Sequence, residues 1–147
     1  MKTPNFELVE LICPANSGNR VFFQDVQQLR AQSGQNVEVV AIDAFSNQAV
    51  SLSPTGNTMI AIADFKKAFL VLNEGGRELK NKIPLALLNR VDADFSVAAN
   101  FVPGQVLPFE FESLRNVDWT KSYVMFASAP VATSFSVLFG VHYRLIR

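Results

Sequence analysis

Glu110 and Glu112 stand two residues apart in a strand-like segment, which sets their carboxylates on one side about 7 Å from each other. That is near the separation at which a pair of glycosidase carboxylates works. Leu107, Phe109 and Phe111 take the other side of the same segment, so the dry face is theirs and the glutamates are read as facing water. Asp92-Ala93-Asp94 gathers oxygen donors but lacks the glycine and further acids of a dedicated calcium loop, and reads as a surface turn. His142 is the one histidine and the one base of its kind, yet its neighbours are Val141 and Tyr143 and no serine or cysteine motif marks a nucleophile. Neither a G-x-S-x-G elbow nor a phosphate-cradling glycine loop occurs, and Gly75-Gly76 reads as a turn. Cys13 is the sole cysteine, which excludes a disulfide framework and a cysteine cluster, and it is expected as a reduced, buried thiol. No residue set for catalysis, a metal or a cofactor emerges, and the chain is expected not to be an enzyme.

Charge and aromatic content bear on partners. Thirteen basic and thirteen acidic residues leave a net charge of zero, which argues against a basic nucleic-acid-binding module. Arg77, Lys80, Lys82 and Arg90 form one modest basic concentration, offset by Glu78 and without interleaved aromatics for base stacking. The first reading is a solvated face; in a container for a genome, this is the segment expected to face the nucleic acid or a partner. Trp119, Tyr123 and Tyr143 are the aromatics that combine an apolar face with a hydrogen-bonding tip, and so the candidates for an interface or a ligand platform. The other thirteen aromatics are phenylalanine, which has no polar handle and is usually buried. Charged residues make up 18% of the chain, against a usual share of about 25%. Surplus phenylalanine with scarce charge points past an ordinary core to contacts between subunits, which resemble a core cut in half.

The elements that must position these residues read as strands. The chain of 147 residues fits one domain, 1–147, and its 49% hydrophobic content excludes disorder. In 134–146, Phe135, Val137, Phe139, Val141, Tyr143 and Leu145 fall on one face, opposed by a mixed face that includes Leu138, Gly140 and His142. Gly140 is the expected place for a bulge or bend. The segment 106–112 repeats the alternation, and Pro108 predicts an edge strand or a strand start there. Further strands are expected at 5–12, 19–24, 37–44, 58–64, 67–73, 94–101 and 121–128, separated by turn-forming clusters such as Pro14–Asn19, Ser53–Asn57, Asn73–Gly76 and Pro103-Gly104. Two short helices are predicted, one over Val26–Gln32 capped by Asp25 and one over Leu85–Leu88 opened by Pro84. The reading is all-β: a sandwich or barrel with one or two short helices. Glu7 and Glu10 interrupt the apolar run near the start, so a secretory leader is not expected, and no run of 18 apolar residues predicts a membrane-spanning helix. Synthesis in a reducing cytoplasm is expected.

The stretch Asp118-Trp119-Thr120-Lys121-Ser122-Tyr123-Val124-Met125-Phe126 leads through Pro130 into a long terminal strand ending Val141-His142-Tyr143-Arg144-Leu145-Ile146-Arg147. With the strand count and the insertion-like helical segments, this resembles the single jelly-roll capsid and penton proteins of icosahedral bacteriophages. The resemblance implies a jelly-roll-like fold of two facing sheets and a virion location after synthesis in the host cytoplasm. It also implies copies of the chain itself, in a cyclic homo-oligomer, and other virion proteins as partners. Many coat proteins add a basic N-terminal arm; this chain has only Lys2 before its first strand, which argues against direct genome binding by such an arm. The expected function is a capsid, penton or decoration subunit that assembles through apolar contacts. The alternatives are a β-sandwich module for carbohydrate or another small ligand, using Trp119, Tyr123 or Tyr143, and a hydrolase using Glu110 or Glu112.

Overall fold

The twelve-residue strand Phe135–Ile146 is the axis around which the larger sheet is built. The computed structural model describes residues 5–16, 18–24, 26–30, 34, 36–45, 58–59, 67–80, 82–91, 109–126 and 134–146. Its strands are β1 (Asn5–Cys13), β2 (Arg20–Phe22), β3 (Asn36–Phe45), β4 (Thr58–Met59), β5 (Phe69–Val71), β6 (Asn73–Glu74), β7 (Arg77–Glu78), β8 (Ile83–Pro84), β9 (Asn89–Val91), β10 (Phe109–Arg115), β11 (Tyr123–Met125) and β12 (Phe135–Ile146). Among the described residues, one α-helical turn, α1 (Leu85–Leu88), and 3-10 turns at Gln27–Leu29 and Trp119–Lys121 complete the elements. The protein is all-β with very little helix.

The larger sheet runs β1-β12-β3-β10, with β4 parallel to β12 and β9 parallel to β3. The second runs β2-β11-β5-β8, and β6-β7 is a separate hairpin. Every ladder along the two main paths is antiparallel. The pairing is nested: β1 with β12, β2 with β11, β3 with β10 and β5 with β8.

Alternation along the strands assigns one face of each sheet to a shared core. Val9, Leu11 and Cys13 of β1, Ile42 and Ala44 of β3, and Val137, Phe139 and Val141 of β12 meet Val21, Leu70 and Val124 of the second sheet. Phe23 bridges them, its ring 5.3 Å from Phe139 and 5.2 Å from Trp119. Leu70, Val124 and Phe139 are wholly buried, each contributing about 2 kcal/mol by apolar burial.

Several expectations are sharpened. β12 is buried on both faces from Ser136 to Val141, in the interior of the larger sheet between β1 and β3. Its alternation therefore distinguishes the core side from a covered second side, not dry from wet. The irregularity expected at Gly140 falls later: Gly140 stays in register with both neighbours, and the slip lies between His142 and Tyr143, where Val40 is the extra residue of β3. β10 begins at Phe109, directly after Pro108, and ends the strand path as an edge. The segment predicted as strand 121–128 starts two residues late. Asp118 accepts from the Thr120 backbone N–H at 3.1 Å and folds Trp119–Lys121 into a 3-10 turn before β11 can begin. The strand predicted over 67–73 stops at Val71; Asn73 opens the β6-β7 hairpin, whose two turn residues, Gly75 and Gly76, have φ of 58° and 86°.

The helix predicted over Val26–Gln32 shrinks to the 3-10 turn Gln27–Leu29, with Val26 at its start and Arg30 already extended. Leu29 is buried in the core there and Val26 packs half-buried against it, a short anchor that does little to offset helix nucleation. Leu85–Leu88 forms the predicted turn, burying Leu85 and Leu88 while Leu87 faces out. The predicted strand 94–101, residues 60–64, 106–108 and 127–128 of three others, and the Asp25 cap lie outside the described residues.

Candidate interaction surfaces

The outer side of the larger sheet is apolar along its free-standing strand. β1 lies at the end of the strand order, and the residues that alternate with its core set are Phe6, Leu8, Glu10 and Ile12. Phe6 is 48%, Leu8 37% and Ile12 43% exposed. They stand opposite His142, Gly140 and Ser136 respectively, with Glu10 opposite Leu138. Next to them His142 Nε2 lies 3.0 Å from Asp43 Oδ2, and the Phe6 ring meets the imidazole edge-on at 5.1 Å. Asp43 is 4% exposed and stands opposite Gly140, so the imidazole reaches it diagonally across a position without a side chain.

A histidine held by a buried aspartate is the orienting half of a nucleophilic site. Its other half does not assemble among the described residues. Cys13 sits on the core side of the sheet, and burial pushes its thiol up to about 12, so it is not a thiolate at neutral pH. Ser136 shares the face but lies six positions along β12 from His142, roughly 20 Å by strand rise. Among the described residues, the pair orients a side chain on the outer face with no nucleophile assembled beside it.

The second sheet has its own apolar outer side. One row reads Phe22, Tyr123, Val71; the next reads Arg20, Met125, Phe69, Pro84. Phe22 is 52% and Phe69 36% exposed, while Tyr123, only 3% exposed, is closed in by its neighbours. The Phe22 ring lies 5.0 Å from the Tyr123 ring, the Arg20 guanidinium 5.2 Å from its centroid, and the Tyr123 hydroxyl donates to Glu78 Oε1 at 3.1 Å. Burial, and then the Glu78 carboxylate, hold the phenol above its ordinary pKa.

The aromatics singled out by type are covered or half-covered. Trp119 is 4% exposed, Tyr123 is buried as described, and Tyr143 is half-buried against the core. None of the three is an open stacking ring. Trp119 does line a half-open recess of 280 Å³ with Val26, Leu29, Arg30, Val117 and Asp118. Its indole Nε1 is buried without a hydrogen-bond partner among the described residues.

The four basic residues divide between sheets. Arg77 sits on the β6-β7 hairpin opposite Glu74, Lys80 and Lys82 are exposed on the way into β8, and the backbone of Arg90 belongs to β9 on the larger sheet. Glu110 pairs with Ala41, but the ladder of β10 to β3 slips between Glu110 and Leu114, so β3 does not hold Glu112 in the regular spacing. Asp92 and Asp94 lie outside the described residues. Among the described residues no cluster of three metal-ligating side chains forms, and no helix is long and apolar enough to cross a membrane.

Sequence reasoning missed the Asp43 partner of His142 and the outward turn of Phe6, Phe22 and Phe69. The signal for the first strip was present: Phe6-Glu7-Leu8-Val9-Glu10-Leu11-Ile12 carries apolar residues at both parities, which a strand with one wet face does not need. No protein-family model, no curated protein and no solved structure matches the chain.

Proposed function

We propose that the chain is a non-enzymatic structural subunit of a virion, a capsid, penton or decoration protein, that assembles with copies of itself through apolar contacts. The observation that carries this reading is the exposure of Phe6, Leu8 and Ile12 on one sheet and of Phe22 and Phe69 on the other. An antiparallel sandwich that works alone turns polar residues outward at these positions.

The strand wiring supports the jelly-roll form of the reading. Numbering β1, β2, β3, β5, β8, β10, β11 and β12 from one to eight, the nested antiparallel pairs join first to eighth, second to seventh, third to sixth and fourth to fifth. A hairpin of strands folded over on itself and rolled into two sheets has this wiring, and it is the basis of the double Greek key. Such a module contributes a rigid shape and leaves specificity to its outer faces and loops.

The test is the oligomeric state of the purified chain by native mass spectrometry and light scattering at rising concentration. A closed oligomer, of five copies for a penton, is the expected result. A monodisperse monomer at high concentration, with no tendency to join other virion components, overturns the reading. A small-ligand module is favoured by one feature, the recess beside Trp119. In that case Arg30→Glu abolishes binding of the ligand, and the wild-type chain stays monomeric.

A further inference from the structure

The recess beside Trp119 combines an apolar lining with polar groups whose hydrogen bonds can be accounted for one by one. Leu29, Val117 and the Trp119 ring are its buried apolar residues. The acceptors around them are already engaged. Asp118 Oδ1 accepts from the Thr120 N–H at 3.1 Å and from the Thr120 hydroxyl at 2.7 Å, and Asp118 Oδ2 faces Lys121 Nζ at 3.9 Å. The Asn116 amide accepts from the Val37 N–H at 3.4 Å and donates to Asn36 Oδ1 at 3.2 Å. Donors are in surplus. The Trp119 indole Nε1 has no acceptor although the residue is only 4% exposed. Arg30, exposed where it lines the recess, brings a guanidinium with five N–H donors, more than one partner takes up.

From this accounting we infer that the recess binds a small carboxylate with an apolar body. The body rests against Leu29, Val117 and Trp119, and the carboxylate takes donors from Arg30 and the indole N–H. The inference deepens the small-ligand reading of the recess and rests on it. A volume of 280 Å³ lies just under the range of about 300–1,000 Å³ that holds drug-sized ligands, which suits a body of one ring or one branched chain. The walls are preformed. Phe23 meets the Trp119 ring edge-on at 5.2 Å, and the Ser122 N–H holds the Trp119 carbonyl at 3.1 Å. Asn116, left-handed at φ 55°, is fixed by its backbone N–H to the Val37 carbonyl at 2.9 Å. Binding therefore orders little that is not already ordered. An ammonium in the same place meets the Arg30 charge and no open acceptor, so the site selects by sign. None of the lining residues belongs to the exposed sets Phe6, Leu8 and Ile12 or Phe22 and Phe69, so binding and assembly are read separately.

Trp119 is the sole tryptophan, so the chain has a single indole N–H resonance and the test reads the proposed donor directly. Phenylacetate, phenylacetamide and phenethylamine, which share a ring and differ in head group, are titrated into the full chain and followed by nitrogen-15 NMR. Phenylacetate is expected to move the indole resonance saturably, phenylacetamide to bind about tenfold more weakly, and the amine not to bind. Arg30→Gln, at an exposed position that leaves the fold intact, is expected to weaken phenylacetate about tenfold and to change phenylacetamide little. If the amine binds as tightly as phenylacetate, or if Arg30→Gln binds phenylacetate as the wild type does, the carboxylate class is wrong and the recess stands as a ligand site. A phenylacetate titration that shifts Leu29 and Val117 but leaves the indole N–H in place overturns the inference in the same way. If none of the three probes shifts any lining residue, the inference and the small-ligand reading both fall.

Discussion

Ser122 is wholly buried and links the β6-β7 hairpin to the turn before β11 through one hydroxyl. Its Oγ donates to the Asp118 carbonyl at 2.8 Å and accepts from the Asn73 backbone N–H at 3.0 Å. The Asn73 carbonyl accepts from the Asp118 N–H at 2.9 Å, and the Ser122 carbonyl accepts from the Phe23 N–H at 3.0 Å. This is the point at which the β6-β7 hairpin is tied to the turn that feeds β11. Ser122→Ala keeps the shape and the backbone bonds but leaves the Asn73 N–H without its acceptor. An orphaned buried donor costs about 1–3 kcal/mol, so a loss of about 2 kcal/mol is expected. For a chain of 147 residues that lowers Tm by roughly 5–8 °C. Urea unfolding should be followed at concentrations low enough to keep the chain monomeric, because assembly would add its own stabilisation. Thr120→Ala is the control: it removes an exposed bond to Asp118 Oδ1 at 2.7 Å and is expected to cost less than about 0.5 kcal/mol. Equal effects of the two substitutions would refute the placement of Ser122 as the buried tie.

Phe139→Ala, which removes a wholly buried ring that touches Phe23, is expected to cost about 3–5 kcal/mol by urea unfolding of the monomer. The Cys13 thiol, held at about 12 in the fold, ionises near 8.5 once unfolded, so the stability it contributes is complete below that lower value and is lost as pH rises towards 12. Cys13→Ala should flatten the alkaline limb of the stability profile, and a thiol reagent should modify wild-type Cys13 only as fast as the chain opens. Asp118 shows the opposite sign: the Thr120 hydroxyl and, further down, Lys121 hold its carboxyl below the ordinary value, so its contribution is present above about 3.9 and is lost as pH falls through the lower folded value. Asp118→Asn should lessen the loss of stability between pH 4 and the acid midpoint, read by circular dichroism.

The long strands were legible because each carries an alternation that one buried face enforces. Asn5–Cys13, Asn36–Phe45 and Phe135–Ile146 match the expected spans to within a residue. Short elements were not, since their lengths are set by tertiary hydrogen bonds. Whether residue 121 opens a strand depends on the Asp118 side chain reaching the Thr120 N–H, and nothing in local propensity decides that. The single turn at Gln27–Leu29 likewise reflects how little of it the core accepts. The left-handed Asn116, at φ 55°, was also unannounced; its amide N–H bonds Val37 O at 2.9 Å and pins the end of β10 to β3. For the surfaces, residue type was a poor guide. Trp and Tyr were singled out for their polar tips, and in Tyr123 that tip is what secures the ring in the fold, through Glu78. Phenylalanine without a tip is left to meet whatever apolar surface is available, including that of another molecule.

Energetics then constrain how the proposed self-assembly would proceed. Taking about 200 Å² for a whole aromatic or aliphatic side chain, Phe6, Leu8, Ile12, Phe22 and Phe69 together leave roughly 400 Å² of apolar surface in water at their observed exposures. Burying all of it in contacts between copies would be worth about 10 kcal/mol. The loss of translational and rotational freedom on pairing is of similar size, about 4–15 kcal/mol. A single contact between two copies is therefore marginal, and isolated pairs should be sparse. Closing a ring adds one contact without immobilising another copy, so the last contact arrives at a much higher effective concentration than the first. The proposed assembly, built this way, is expected to be steep in concentration, with monomers and complete rings populated and intermediates not. A smooth ladder of dimers, trimers and tetramers in native mass spectra would mean that surface beyond these five side chains carries the contact.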